Sequence, residues 1–144
     1  IPAHPVMILG DRLRLEQVII NLLRNALDAT KAVRDPTIDI ILAMGEQVSL
    51  TVRDNGPGIA DLDNLFEPFY TTKAPGDGVG LGLAISSGIV NDLGGRLTAR
   101  NATHGGAVFE IVLPVHKSGQ VGPGQMGPGQ VAAGQGVRPA QAAE

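Results

Sequence analysis

Between Asp11 and Val33 the chain reads DRLRLEQVIINLLRNALDATKAV, and its apolar residues return with a helical period. At about 3.6 residues per turn, Leu15, Val18, Leu22, Ala26, Ala29 and Val33 fall on one side, a stripe suited to a core. Asp11 is the expected N-cap, following a short strand at Val6–Leu9, and the helix should stop before Pro36. Gln17, Asn21, Asn25 and Asp28 line up on another face. Asparagine favours caps and turns over helices, so this row needs a reason. It reads either as a solvated polar face or as oxygen donors for a hard cation such as magnesium.

Beyond the helix the period changes. Ile38–Met44 and Gln47–Asp54 read as two strands joined by a hairpin at Gly45-Glu46, with Val48, Leu50 and Val52 alternating against Ser49, Thr51 and Arg53. Leu62–Phe69 reads as a short helix closed by Pro68, with Leu65, Phe66 and Phe69 turned inward. A second helix is expected to open in the glycine-rich run from Gly78 and to reach about Leu93, capped by Gly94-Gly95. Arg96–Asn101 and Gly106–Leu113 are the last expected strands, joined by a turn at Thr103-His104-Gly105.

With 144 residues, 43% hydrophobic and 3% aromatic, the chain can build one domain with an aliphatic core. A net charge of −3 argues against a nucleic-acid footprint or a polybasic membrane surface. The absence of cysteine excludes disulfides, zinc-thiolate sites and thiol catalysis. No apolar run approaches the roughly 20 residues of a membrane span. The opening IPAHPVMILG has neither an initial Met nor a basic n-region, and is read as a cut from a longer protein. Gly-Gln recurs at 119, 124, 129 and 134, in a segment with almost no charge and no aromatic residue, so 118–144 is read as a disordered tail and 1–117 as the domain. His4, His104 and His116 read as solvated, with no ligand or catalytic constellation around them.

Three glycine-rich segments carry candidate chemistry. In Asp54-Asn55-Gly56-Pro57-Gly58-Ile59, an acid at a strand end could accept a hydrogen bond from an exocyclic amine such as that of adenine, with Gly56 and Gly58 allowing a base to approach the backbone. An ordinary loop is the bland alternative. Lys73 sits at the base of Ala74-Pro75-Gly76-Asp77-Gly78, which reads as a mobile loop. Gly78-Val79-Gly80-Leu81-Gly82-Leu83 would expose backbone N–H groups at a helix start, a setting that favours anions. Its GxGxG spacing, with no strand before it and no Gly-Lys-Ser/Thr after it, is neither the dinucleotide fingerprint nor a P-loop.

Taken in order, these segments carry a resemblance over about residues 6–115. QVIINLLRNALDA resembles the N box of sensor histidine kinases, DNGPGI their G1 box, LFEPFYTTK their F box and GVGLGLA their G2 box, while GGAVFEIVLP is similar to their last strand. In motif form the chain is most similar to kinases of the nitrogen-regulation and C4-dicarboxylate-sensor type. The resemblance implies the α/β fold of the GHKL ATPases: a two-layer sandwich, the Bergerat-type ATP-binding fold, with a mixed, mostly antiparallel sheet packed on helices. It implies ATP and Mg2+ as ligands. Asn25 would hold the metal and, with Lys73, serve catalysis, while Asn21 and Asp28 would lie nearby. Asp54, Gly56, Gly58 and Ile59 would take the base. Phe69, Tyr70, Thr71 and Thr72 would anchor and line the lid that carries Lys73, and Gly78, Val79, Gly80, Leu81, Gly82 and Leu83 would hold phosphates.

Asn21 stands where hydrolysing relatives carry a glutamate base, and an amide cannot take that proton at neutral pH. That argues for a kinase. Asp28, where many kinases carry Lys, resembles the hydrolases and a subset of kinases. None of the three histidines has the context of the family's acceptor. The expected partners are therefore a dimerisation and phosphoacceptor segment of the same protein and, indirectly, a response regulator; nucleic acid is not among them. The fragment is expected to be monomeric. The whole protein is expected to be a homodimer anchored in the inner membrane, with this domain on its cytoplasmic side. The alternatives are an ATP-hydrolysing or serine-phosphorylating relative of the same fold, or a degenerate nucleotide-binding regulatory module.

Overall fold

The computed structural model of the chain describes residues 11–71 and 80–115. The expected strand at Val6–Leu9, the loop after Lys73, His4, His116 and the tail lie outside them. The element order is α1 (Arg12–Ala29), β1 (Ile38–Met44), β2 (Gln47–Asp54), α2 (Gly82–Asp92), β3 (Arg96–Asn101) and β4 (Ala107–Pro114).

Helix α1 begins where the sequence places it. Asp11 is in an extended conformation and its carboxylate accepts hydrogen bonds from the Leu13 and Arg14 N–H groups. The helix ends about a turn earlier than expected. Thr30 is the C-cap, with φ −100 and ψ 3 off the helical conformation, and its backbone N–H (3.1 Å) and hydroxyl (2.9 Å) both donate to the Ala26 carbonyl. The apolar period continues to Val33, but that residue sits in the following turn, its N–H donating to Thr30 O at 3.0 Å.

The four described strands form one antiparallel sheet in the order β1-β2-β4-β3. Cross-strand register puts Val52, Phe109 and Ala99 in one row and Leu50, Ile111 and Leu97 in the next. Against that face pack Val18, Leu22 and Ala26 of α1 and Ile89 and Val90 of α2, giving a two-layer sandwich with one core. Ile111, 1% exposed, lies at its centre. Ile111→Val, which deletes one methylene, is expected to cost about 0.5–1.5 kcal/mol, read as a lower urea midpoint with unchanged slope.

The short helix expected at Leu62–Phe69 is not formed. The Asp61 carboxylate takes both the backbone N–H (3.2 Å) and the side-chain amide (2.8 Å) of Asn64, and these bonds hold its carboxyl below the ordinary range. Single turns follow, from Glu67 N–H to Asn64 O and from Tyr70 N–H to Glu67 O. Local side-chain bonding and Pro68 together leave no room for a continuous helical ladder. Leu65 and Phe66 pack against the core as expected. Phe69 does not: it is 73% exposed.

Candidate nucleotide site

The chemistry of a carboxylate at a strand end depends here on where β2 stops. Asp54 is the last residue of β2 and is 4% exposed. Its Oδ1 accepts from the Gly56 N–H at 2.8 Å and from the Ala107 N–H, at the start of β4, at 3.3 Å. Among the described residues Oδ2 takes no hydrogen bond. A buried carboxylate with one oxygen satisfied and the other open is a demand for a donor, and an amine meets it.

The loop after Asp54 is fixed on both flanks. The Asn55 side chain accepts from Thr37 N–H (2.9 Å) and donates to Asp35 O (2.8 Å), tying the loop to the connection between α1 and β1. Gly56 lies against the end of α1, so close that a Cβ would stand 2.6 Å from Ala29 O. Gly58 adopts φ +87, open to glycine and strained for other residues. Ile59 is held by Asn101, to which its N–H donates and from whose amide its carbonyl accepts.

Helix α1 also meets the glycine run. Asn21 and Asn25 are half-buried on α1. The Asn21 amide donates to Ser86 Oγ (3.1 Å) and to Gly82 O (3.3 Å), joining α1 to the first turn of α2. The second helix begins at Gly82, within the glycine run. No side chain caps it, which leaves its first-turn N–H groups to other acceptors. Leu81 and Leu83 flank this start and are half-buried, as is Tyr70, while Thr71 is exposed. Phe69 N–H donates to Gly80 O at 2.8 Å, and both residues have positive φ (67 and 77). A Cβ on Gly80 would run into the Phe69 backbone. Phe69 thus stands in a left-handed backbone bonded to Gly80, with its ring turned to solvent and not inward as its apolar character suggests. Asp28 pairs with Lys31 at 3.1 Å on the α1 surface. Thr72, Lys73, Gly78 and Val79 lie outside the described residues.

No group of three or more His, Cys, Asp or Glu side chains that could hold a metal is present among the described residues. Carboxamides on α1 nevertheless fit a magnesium ion whose remaining ligands are phosphate oxygens and water, the usual arrangement for this metal with nucleotides.

A buried carboxylate with one oxygen open, a glycine-lined loop beside it and an uncapped helix start are features of an α/β sandwich of the nucleotide-binding kind. The pattern of the histidine kinase-, DNA gyrase B- and HSP90-like ATPases matches residues 10–117, and the chain belongs to that family. It is 43% identical over 117 residues to the C4-dicarboxylate transport sensor protein DctB of Pseudomonas aeruginosa, covering 78% of this chain and 19% of that protein. The DctB of Rhizobium meliloti is 49% identical over 109 residues, covering 73% of this chain and 17% of that protein. The catalytic domain of the histidine kinase ThkA superposes with a TM-score of 0.64 at 36% identity, covering 74% of this chain and 71% of that one. ShkA, solved full-length in complex with AMPPNP, gives 0.65 at 32% identity, covering 79% and 24%. The chain is thus a catalytic domain of the sensor histidine kinase type and spans about a fifth of the length of the curated relatives it matches. No helix of the described residues is long and apolar enough to cross a membrane.

Asn101, Ser86 and Asn55 hold these segments without having been singled out in the sequence, and Gly106 lies so close to the Asp54 backbone that a Cβ would run into it. The Gly105-Gly106 pair was a visible signal of an unusual backbone. Nothing in the sequence marks an exposed Asn at a strand end.

Proposed function

We propose that this domain binds ATP with magnesium and donates its γ-phosphoryl group to a histidine on a separate dimerisation segment of the same protein, for onward transfer to a response regulator. The observation that carries this reading is the buried Asp54 with one oxygen open, beside a loop whose backbone is fixed at both flanks. Adenine offers an amine donor where guanine offers a carbonyl, so an acceptor at this point selects ATP. The AMPPNP complex of ShkA supports a nucleotide on this fold.

In this reading Gly56, Gly58 and Ile59 border the base, the α2 start with Gly80, Leu81, Gly82 and Leu83 faces the phosphates, and Asn25 holds magnesium against them. Tyr70 and Thr71 precede the segment assigned to the triphosphate, and Thr72, Lys73, Gly78 and Val79, outside the described residues, are assigned to it on the motif resemblance alone. Bound metal would neutralise phosphate charge, while the chain's own residues align the nucleotide and exclude water. Asn21 is spent as a donor to Gly82 O and Ser86 Oγ and supplies no base for hydrolysis. This favours transfer to an acceptor over release of phosphate to water. In the whole protein the domain, ending near residue 117, sits on the cytoplasmic side of a membrane-anchored homodimer.

The test is calorimetric titration with a non-hydrolysable ATP analogue with and without magnesium, followed by transfer from ATP to a supplied dimerisation-and-histidine segment. Binding with transfer supports the proposal. Binding with steady phosphate release and no transfer would replace it with the hydrolase reading, and binding with neither would leave a regulatory module. Asn25→Ala is expected to lower affinity about tenfold in magnesium and little in its absence; equal losses in both would remove Asn25 from the metal.

A further inference from the structure

We infer that Asn101, outside every nucleotide-binding motif, is a positioning residue that sets the width of the base slot. This rests on the assignment of Asp54 to adenine. Asn101 closes β3, 42 residues from Ile59, yet its side chain reproduces a backbone pairing with it. Oδ1 accepts the Ile59 N–H at 2.6 Å and Nδ2 donates to the Ile59 carbonyl at 3.0 Å. Among the described residues these are the only hydrogen bonds the Ile59 backbone makes.

Two further observations show that the loop is shaped around this side chain. A Cβ on Gly58 would stand 2.9 Å from Asn101 Oδ1, so the glycine makes room for the amide. Asn101 is also the cross-strand partner of Ala107, whose N–H donates to Asp54 Oδ1. One pair of residues therefore holds both ends of the 54–59 loop: Ala107 fixes the carboxylate and Asn101 fixes the backbone opposite it. The distance between the two sides of the slot is set by the β3–β4 ladder and not by the loop itself. Asn supplies this pairing through a single amide. Asp offers the acceptor but sets a carboxylate against the Ile59 carbonyl, and Ser is too short for two simultaneous bonds.

The experiment uses the full chain, with Asn101→Ala and Asn101→Asp. Affinities for the ATP analogue, ADP and a GTP analogue are measured well below the melting temperature, and the melting temperatures are recorded. Both variants are expected to bind the ATP analogue and ADP about fivefold to tenfold more weakly, to narrow the preference for adenine over guanine, and to leave the magnesium effect unchanged. Parent-like affinity and base preference overturn the inference, as does a lowered melting temperature with both quantities unaltered. If the parent binds adenine nucleotides in an Asp54-dependent way and the Asn101 variants bind equally well, only this inference falls. If the parent binds no nucleotide, the assignment of the site falls and takes the inference with it.

Discussion

Gly106→Ala is expected to destabilise the domain by about 2–5 kcal/mol and to weaken whatever binds at Asp54. Two costs combine. Gly106 has φ 94, a left-handed backbone that L side chains adopt at roughly 1–2 kcal/mol. A Cβ there would also run into the Asp54 backbone carbonyl, which the ends of two paired strands cannot easily withdraw. Gly106 further accepts a hydrogen bond from the Ala102 N–H at 2.9 Å, so any shift opens the β3–β4 turn as well. Against a total stability of about 5–15 kcal/mol for a domain, the loss is large. Gly105→Ala is the control. Its φ is 103, but nothing lies within 4 Å of an added Cβ, so it carries the backbone cost alone, about 1–2 kcal/mol. Urea unfolding of the two variants, followed by circular dichroism, separates strain from contact. Equal midpoints would mean that the close approach of the turn to Asp54 is not rigid.

What could be read from the sequence follows from how local each signal is. The strand bounds at 38–44 and 47–54 were legible because a period of two and a Gly-containing hairpin coincide there. Helix α1 was legible through its apolar stripe, and Asp11 through its position before that stripe. Its end was not, since the backbone leaves the helical conformation at Thr30 while the apolar period continues. At 62–69 the apolar content suggested a helix, but the Asp61–Asn64 pairing and Pro68 satisfy the backbone in separate turns. Phe69 shows the same limit at the site: it is exposed on a left-handed backbone whose N–H donates to Gly80, eleven residues on.

The ordered motifs pointed to Asp54, Asn21 and the glycine run; the structure joins Asn21 to the start of α2 and sets the loop after Asp54 against the end of α1. It adds what motifs cannot contain, the residues that hold them. Ser86 and Gly82 take up the Asn21 amide, and Ala107 and Asn101 hold the 54–59 loop. Each of these contacts spans 42 or more residues, beyond any periodic signal.

Asp54→Asn is the substitution expected to change function most while leaving the fold in place. The native Oδ1 takes N–H donors from Gly56 and Ala107, and the amide oxygen of Asn can accept both. That bonding fixes the orientation of the new side chain, because turning the NH2 inward would set it against two N–H groups. The amide nitrogen then occupies the Oδ2 position and presents a donor where adenine also presents one. Loss of a hydrogen bond to a charged group costs roughly 1.5–3 kcal/mol, about a 10- to 100-fold drop in ATP affinity. Guanine places an acceptor at the same point, so GTP is expected to lose less and the ratio of the two affinities to move towards guanine. Parallel titrations of parent and variant with both nucleotides read this directly. An equal loss for ATP and GTP, with an unchanged melting temperature, would show that Asp54 supports the loop and does not read the base.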